Sequence, residues 1–143
     1  MDILRRNTDY ALRAMVNLAE NTGKEPISAR QIARQENISY QLTCKILQKL
    51  NEAMLVKSSM GPKGGFQLRK KPSKINLLQI ISAIQGPVRL NRCLLGVNKC
   101  PKQPNCLVSK KLAVLQNYMN KFLAEITLTQ LLKRKGYFNR KSR

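Results

Sequence analysis

The chain has 143 residues, of which 27 are Lys or Arg, 7 are Asp or Glu and none is His, for a formal net charge of +20. That length holds one or two small domains, and that charge calls for a polyanionic partner, with nucleic acid ahead of an anionic membrane surface. The missing histidine removes the residue most used for proton transfer and argues against an enzyme, while the longest strongly apolar run, about Leu77 to Ile84, is far short of the roughly 20 residues that span a bilayer.

The opening Met1-Asp2-Ile3-Leu4-Arg5-Arg6 lacks a signal-peptide core, so a cytoplasmic protein is expected. From Asn7 to about Glu20, Ala11, Ala14, Met15 and Leu18 recur at three and four residues, the period of one buried helical face. The turn cluster Asn21-Thr22-Gly23-Lys24-Glu25-Pro26 ends this first helix. Ser28 and Gln31 fit a capping box for a short second helix reaching about Gln35. Asn37-Ile38-Ser39 breaks the chain, and Ser39 caps a third helix from Tyr40 to about Ala53. On it Leu42, Thr43, Ile46, Leu47 and Leu50 share one face; Gln41, Cys44, Lys45 and Gln48 share the other, with Tyr40 at the exposed N-terminal end.

A short helix, a tight turn and a second helix with a polar, neutral-to-basic outer face is the pattern of a DNA-reading helix-turn-helix, and also of two surface helices in an ordinary bundle. The next segment favours the first reading. Leu55–Ser59 and Phe66–Lys70 form two short strands around Met60-Gly61-Pro62-Lys63-Gly64-Gly65, whose glycines suit a hairpin tip. Lys57, Arg69, Lys70 and Lys71 flank the hairpin, and its tip can approach a phosphate backbone. The predicted fold is therefore mainly α with a small β-hairpin wing, a winged helix-turn-helix domain over residues 1–86 followed by a long C-terminal dimerisation helix.

Asn76 caps a further helix that ends at Gly86-Pro87, after which residues 87–106 form a cysteine segment. Val108, Leu112, Leu115, Met119, Phe122 and Ile126 are then spaced 4, 3, 4, 3 and 4 apart, a heptad seam. Such a seam can pack on its own domain, but a winged helix usually reads a two-fold site as a dimer, and a dimer interface is expected. Thr127 and Gln130 fit another capping box, for a short last helix within residues 107–132. Residues 133–143 read as a basic, mobile tail adding non-specific affinity.

Cys93-x6-Cys100-x5-Cys106 places three thiols within fourteen residues, and no Asp or Glu occurs from Ala53 to Ala124. Three uses fit these residues. An iron–sulfur cluster needs converging thiolates on irregular backbone, which Gly96, Pro101, Pro104 and Asn105 supply. Structural zinc would take the same thiols but wants four closed ligands. Free or redox-active thiols, activated by Arg92, Lys99 and Lys102, are the third use. Cys44 lies on the presumed reading face, where a metal would compete with DNA. Among the seven acids, Asp9 in the first turn of helix one is the most suggestive outside ligand, although a helix N-terminus also favours an aspartate for its dipole alone.

Asn7-Thr8-Asp9-Tyr10-Ala11-Leu12-Arg13-Ala14-Met15, the wing Gly61-Pro62-Lys63-Gly64-Gly65-Phe66, and Cys93, Cys100 and Cys106 followed by Ile126-Thr127-Leu128 resemble the IscR/NsrR-type family of bacterial winged-helix transcription regulators. The resemblance runs from about residue 3 to 132. It implies a homodimer on a palindromic double-stranded DNA operator, with an iron–sulfur cluster ligated by Cys93, Cys100 and Cys106 beside the dimer helix. The IscR-type member uses a histidine three residues after the third cysteine, where this chain has Ser109. The NsrR-type member completes a 4Fe–4S cluster with an aspartate of the other subunit's first helix, and Asp9 occupies the matching place. A 4Fe–4S cluster with Asp9 in trans is the preferred form, a 2Fe–2S cluster the other; a cluster-free thiol switch or a zinc-binding regulator on the same fold is the competing function. On this reading Tyr40, Gln41, Lys45 and Gln48 contact bases, Arg30 and Ser39 contact phosphates, and Lys63 and Gly64 enter the minor groove.

Overall fold

The computed structural model describes residues 2–91, 94, 100–102 and 105–133. Three helices come first: α1 (Arg6–Glu20), α2 (Ala29–Glu36) and α3 (Tyr40–Glu52). Each begins and ends for a local reason. Ser28 Oγ accepts from Gln31 N–H at 3.2 Å and Ser39 Oγ accepts from Leu42 N–H at 3.3 Å, satisfying one open amide at the start of α2 and of α3. Both helices close with the same paired hydrogen bonds. Past α2, Ile38 N–H reaches Ala33 O and Asn37 N–H reaches Arg34 O; past α3, Leu55 N–H reaches Leu50 O and Met54 N–H reaches Asn51 O. The closure requires a left-handed residue, Asn37 at φ +54° and Met54 at φ +61°. Asparagine tolerates that conformation; methionine is strained in it.

The wing is an antiparallel pair, β1 (Val56–Ser59) and β2 (Gly65–Leu68), with Val56 opposite Leu68 and Ser59 opposite Gly65. The strands are shorter than the sequence predicts because Leu55 N–H is engaged in closing α3, although Arg69 N–H still donates to Leu55 O. Ile27 adds an unforeseen third strand position, exchanging both backbone hydrogen bonds with Phe66 at 3.1 and 2.8 Å. The wing is thereby tied to the residue just ahead of the Ser28 cap.

A 3-10 turn (Pro72–Lys74) leads to α4 (Leu77–Gln85), which Asn76 and Gln79 open with a complete capping box. After the cysteine segment come α5 (Leu107–Glu125) and α6 (Leu128–Leu132), the latter opened by the Thr127–Gln130 capping box. Ile126 O accepts from Leu77 N–H and Leu128 N–H donates to Ile75 O, each at 2.9 Å. This clamp returns the chain to the winged-helix body, where Leu128 is fully buried with Met15, Ile32, Leu47, Leu50, Val56, Ile75 and Ile80 in one core. No helix among the described residues is long and apolar enough to cross a membrane.

Candidate DNA-reading face and cysteine segment

Thr43, Ile46, Leu47 and Leu50 of α3 are buried, which turns Gln41, Lys45 and Gln48 outward as one exposed row. Cys44 is half-buried beside that row, and Tyr40 is exposed at its head. The Arg30 guanidinium lies over the Tyr40 ring at 4.6 Å from its centroid, joining the starts of α2 and α3. Ser39 Oγ is engaged as a cap acceptor, which leaves its hydroxyl proton free to donate outward.

Lys63 is exposed in the turn between the wing strands. Gly64 owes its identity to the hairpin itself: a Cβ there would collide with Ser59 O and come within 2.8 Å of Met60 C. The flanking cations Lys57, Arg69, Lys70 and Lys71 are all exposed, and Arg69 in addition donates to Val56 O at 3.2 Å and Asn51 Oδ1 at 3.3 Å. The described residues contain one ion pair, Arg13 with Glu36 at 3.4 Å. The positive field of the reading face is therefore barely neutralised from within.

Cys106 caps α5, its Sγ accepting from Ser109 N–H at 3.5 Å, so a thiolate there would meet the positive end of a 19-residue helix. Cys106 is half-buried and Cys100 exposed, while Cys93 and the tail from residue 134 lie outside the described residues. Among the described residues no three Cys, Asp or Glu side chains gather as a metal site. Three thiols with no histidine and no nearby carboxylate suit a thiolate-bound cluster that takes one ligand from elsewhere. Ser109, at the position where a histidine ligand would be expected, offers only its amide to Cys106. Asp9 is exposed in the first turn of α1.

Two glutamines frame this segment, and neither was singled out by sequence. Gln85, the last residue of α4, accepts from Thr8 Oγ1 at 2.6 Å and Arg5 N–H at 2.9 Å and donates to Ile3 O at 2.9 Å. It fastens the start of α1, beside Asp9, to the entry of the cysteine segment. Gln116, only 3% exposed, is the one buried residue of α5. Its amide donates to Val88 O at 2.8 Å and Asn120 Oδ1 at 3.0 Å and accepts from Leu90 N–H at 2.9 Å. The available signal was faint: a glutamine with the helical phase of the buried side.

The rest of α5 is open. Of the seam residues, Val108, Leu115 and Phe122 are exposed, whereas Leu112, Met119 and Ile126 are half-buried. Leu107, Val114 and Tyr118 extend the exposed apolar strip, Leu107 at 76% and Tyr118 at 69%. Exposed apolar strips of this kind are a feature that interaction surfaces share.

Comparison with known proteins gives a consistent relationship. A family model described as Rrf2, an iron-dependent transcriptional regulator, matches residues 4–134. The HTH-type transcriptional regulator IscR of Vibrio atlanticus is 32% identical over 124 residues, covering 87% of this chain and 71% of the relative. The solved structure of T. potens IscR is similar at a TM-score of 0.74 and 25% identity, covering 91% of this chain and 85% of that one. CymR of B. subtilis, described as its global cysteine regulator, is similar at a TM-score of 0.74 and 26% identity, covering 92% and 96%.

Proposed function

The chain belongs to the Rrf2 family of transcriptional regulators, DNA-binding proteins and not enzymes, and from that premise we propose that it is a homodimeric repressor of a palindromic operator, controlled by an iron–sulfur cluster held by Cys93, Cys100, Cys106 and Asp9 of the partner subunit. The course of α5 carries this reading. Its first turn is capped by one candidate ligand, Cys106; its single buried side chain, Gln116, holds the backbone that leads toward Cys93; and its apolar strip is open to a second copy.

When bound, the cluster would supply an iron centre sensitive to nitric oxide, oxygen and iron supply, preferably of the 4Fe–4S type with 2Fe–2S as the other form. The protein's own residues do the rest. Cys93, Cys100 and Cys106 would hold the cluster as thiolates, Cys106 from the N-terminus of α5, and the Asp9 carboxylate would complete it from the other subunit's α1. Gln85 and Gln116 pass the ordering of that segment to α1 and α5. The two α5 strips, packed together, set the separation of the two α3 helices, so ordering at the thiols biases operator affinity. On DNA, Gln41, Lys45 and Gln48 meet base edges in the major groove with Tyr40 at the rim, Arg30 and Ser39 hold phosphates, and Lys63 and Gly64 follow the minor groove.

An anaerobic absorption spectrum and iron count on freshly purified protein test the proposal, with operator binding measured before and after iron chelation. Visible charge-transfer bands, bound iron and a change in affinity on chelation are expected. Asp9→Ala should keep the dimer but shift the spectrum and hasten cluster loss, whereas Cys106→Ala should hold no stable cluster. Iron-free protein with full operator binding would overturn the cluster reading. The second reading, a cluster-free thiol switch, is favoured by the likeness to a cysteine regulator and by the exposure of Cys100; it predicts DNA release on thiol oxidation with no metal present.

A further inference from the structure

Met60 stands at the tip of the wing with 98% of its surface exposed, the extreme among the large hydrophobic side chains of the described residues. The hairpin holds it there. Gly64 N–H donates to Gly61 O at 2.9 Å, closing the turn Gly61-Pro62-Lys63-Gly64 immediately after Met60. Gly64 packs without room for a Cβ against the Ser59 and Met60 backbone, and Gly65 does the same against Ile27 and Ser28. The tip is thus a close-packed loop that projects one long apolar side chain, with Lys63 in the same turn and Lys57, Lys70 and Lys71 exposed around its base. Among the described residues nothing covers the side chain, and the surrounding cations select a polyanion over an apolar protein partner.

Resting on the reading that the wing enters the minor groove, we propose that Met60 is an apolar wedge that inserts at a base step there and partly unstacks it. Methionine is among the side chains that minor-groove proteins use in this way, and its unbranched thioether adapts to the gap between base pairs. The bases that give way most easily are at pyrimidine–purine steps. Met60 therefore makes the wing a reader of deformability: operators should carry a TA or CA step under each wing, outside the base pairs faced by Gln41, Lys45 and Gln48.

The test uses the full chain and a duplex selected with it from a random pool, with 2-aminopurine placed at the steps under the wing. Binding should raise 2-aminopurine fluorescence as the step unstacks, and selected duplexes should be enriched in TA or CA at that place. Met60→Ser, at a site too exposed to disturb folding, should abolish the fluorescence rise and weaken binding about tenfold at every salt concentration. Met60→Leu should retain both. Lys63→Glu should instead flatten the dependence of affinity on salt. If Lys63→Glu flattens that dependence while Met60→Ser leaves affinity and fluorescence at wild-type values, the wing touches DNA but the wedge is refuted. If neither variant changes anything, the wing is not at the DNA and both readings fall.

Discussion

Replacing Gln116 by leucine keeps the volume of the side chain and removes three hydrogen bonds. The amide of Gln116 is the partner of Val88 O and Leu90 N–H, and Val88 and Gln116 are each 3% exposed. A buried backbone group left without a partner costs about 1–3 kcal/mol, so the Val88 carbonyl and the half-buried Leu90 amide together cost about 3 kcal/mol. The added leucine surface returns about 1 kcal/mol, and the net loss is about 2 kcal/mol, or close to thirtyfold in local opening. Hydrogen exchange of the Leu90 amide reads that opening directly, and urea unfolding reads its share of global stability. Gln116→Glu, which keeps an acceptor for Leu90 but sets a carboxylate against the Val88 carbonyl, should lose more. Unchanged exchange at Leu90 in both variants would refute the view that this side chain holds the segment to α5.

Three other outcomes follow from single positions. Gly65→Ala would bring a Cβ to 2.6 Å from Ile27 C and O, so the wing must move off the residue that precedes α2; a loss of about 2–4 kcal/mol is expected in urea denaturation, together with weaker DNA binding. Met54→Gly relieves a side chain held at φ +61° and should stabilise the fold by about 1 kcal/mol, seen as a raised midpoint of thermal unfolding. Leu115→Asp places a charge in the exposed strip of α5, at a cost of several kcal/mol once that strip is covered; sedimentation should show a monomer, and a folded dimer would mean that the interface lies elsewhere.

The helix boundaries were legible because their determinants are local. Ser28, Ser39, Asn76 and Thr127 each accept from an amide three residues ahead, and the apolar rows of α1 and α3 repeat at helical spacing. Ile27 joined Phe66 across 39 positions, and Gln85 joined Ile3 across 82, pairings for which the local sequence carries no mark. Arg69 read as a wing cation, but its hydrogen bonds to Val56 O and Asn51 Oδ1 were not legible, because charge is visible in sequence and the direction of a side chain is not. Gln116 was hidden by the opposite effect, since a glutamine on a surface helix is ordinary until its burial is known. The seam stands in the sequence as a periodicity, but periodicity alone does not tell which of two adjacent stripes faces outward, and the exposure of Leu107, Val114 and Tyr118 adds that.

The scarcity of internal neutralisation, one ion pair between Arg13 and Glu36 among the described residues, gives salt two opposite effects on this protein. With 27 basic side chains and 7 acidic ones, the free protein is dominated by self-repulsion, and added salt should relax it and raise its thermal stability. The same ions compete for the phosphates and should loosen the complex. Screening and counterion release then pull apart two quantities that usually move together: the conditions in which the unbound regulator is most robust are those in which it lets go of DNA most readily. Heating scans across a salt series should rise for the protein alone and fall for the protein on its operator, with the curves converging as the complex dissociates.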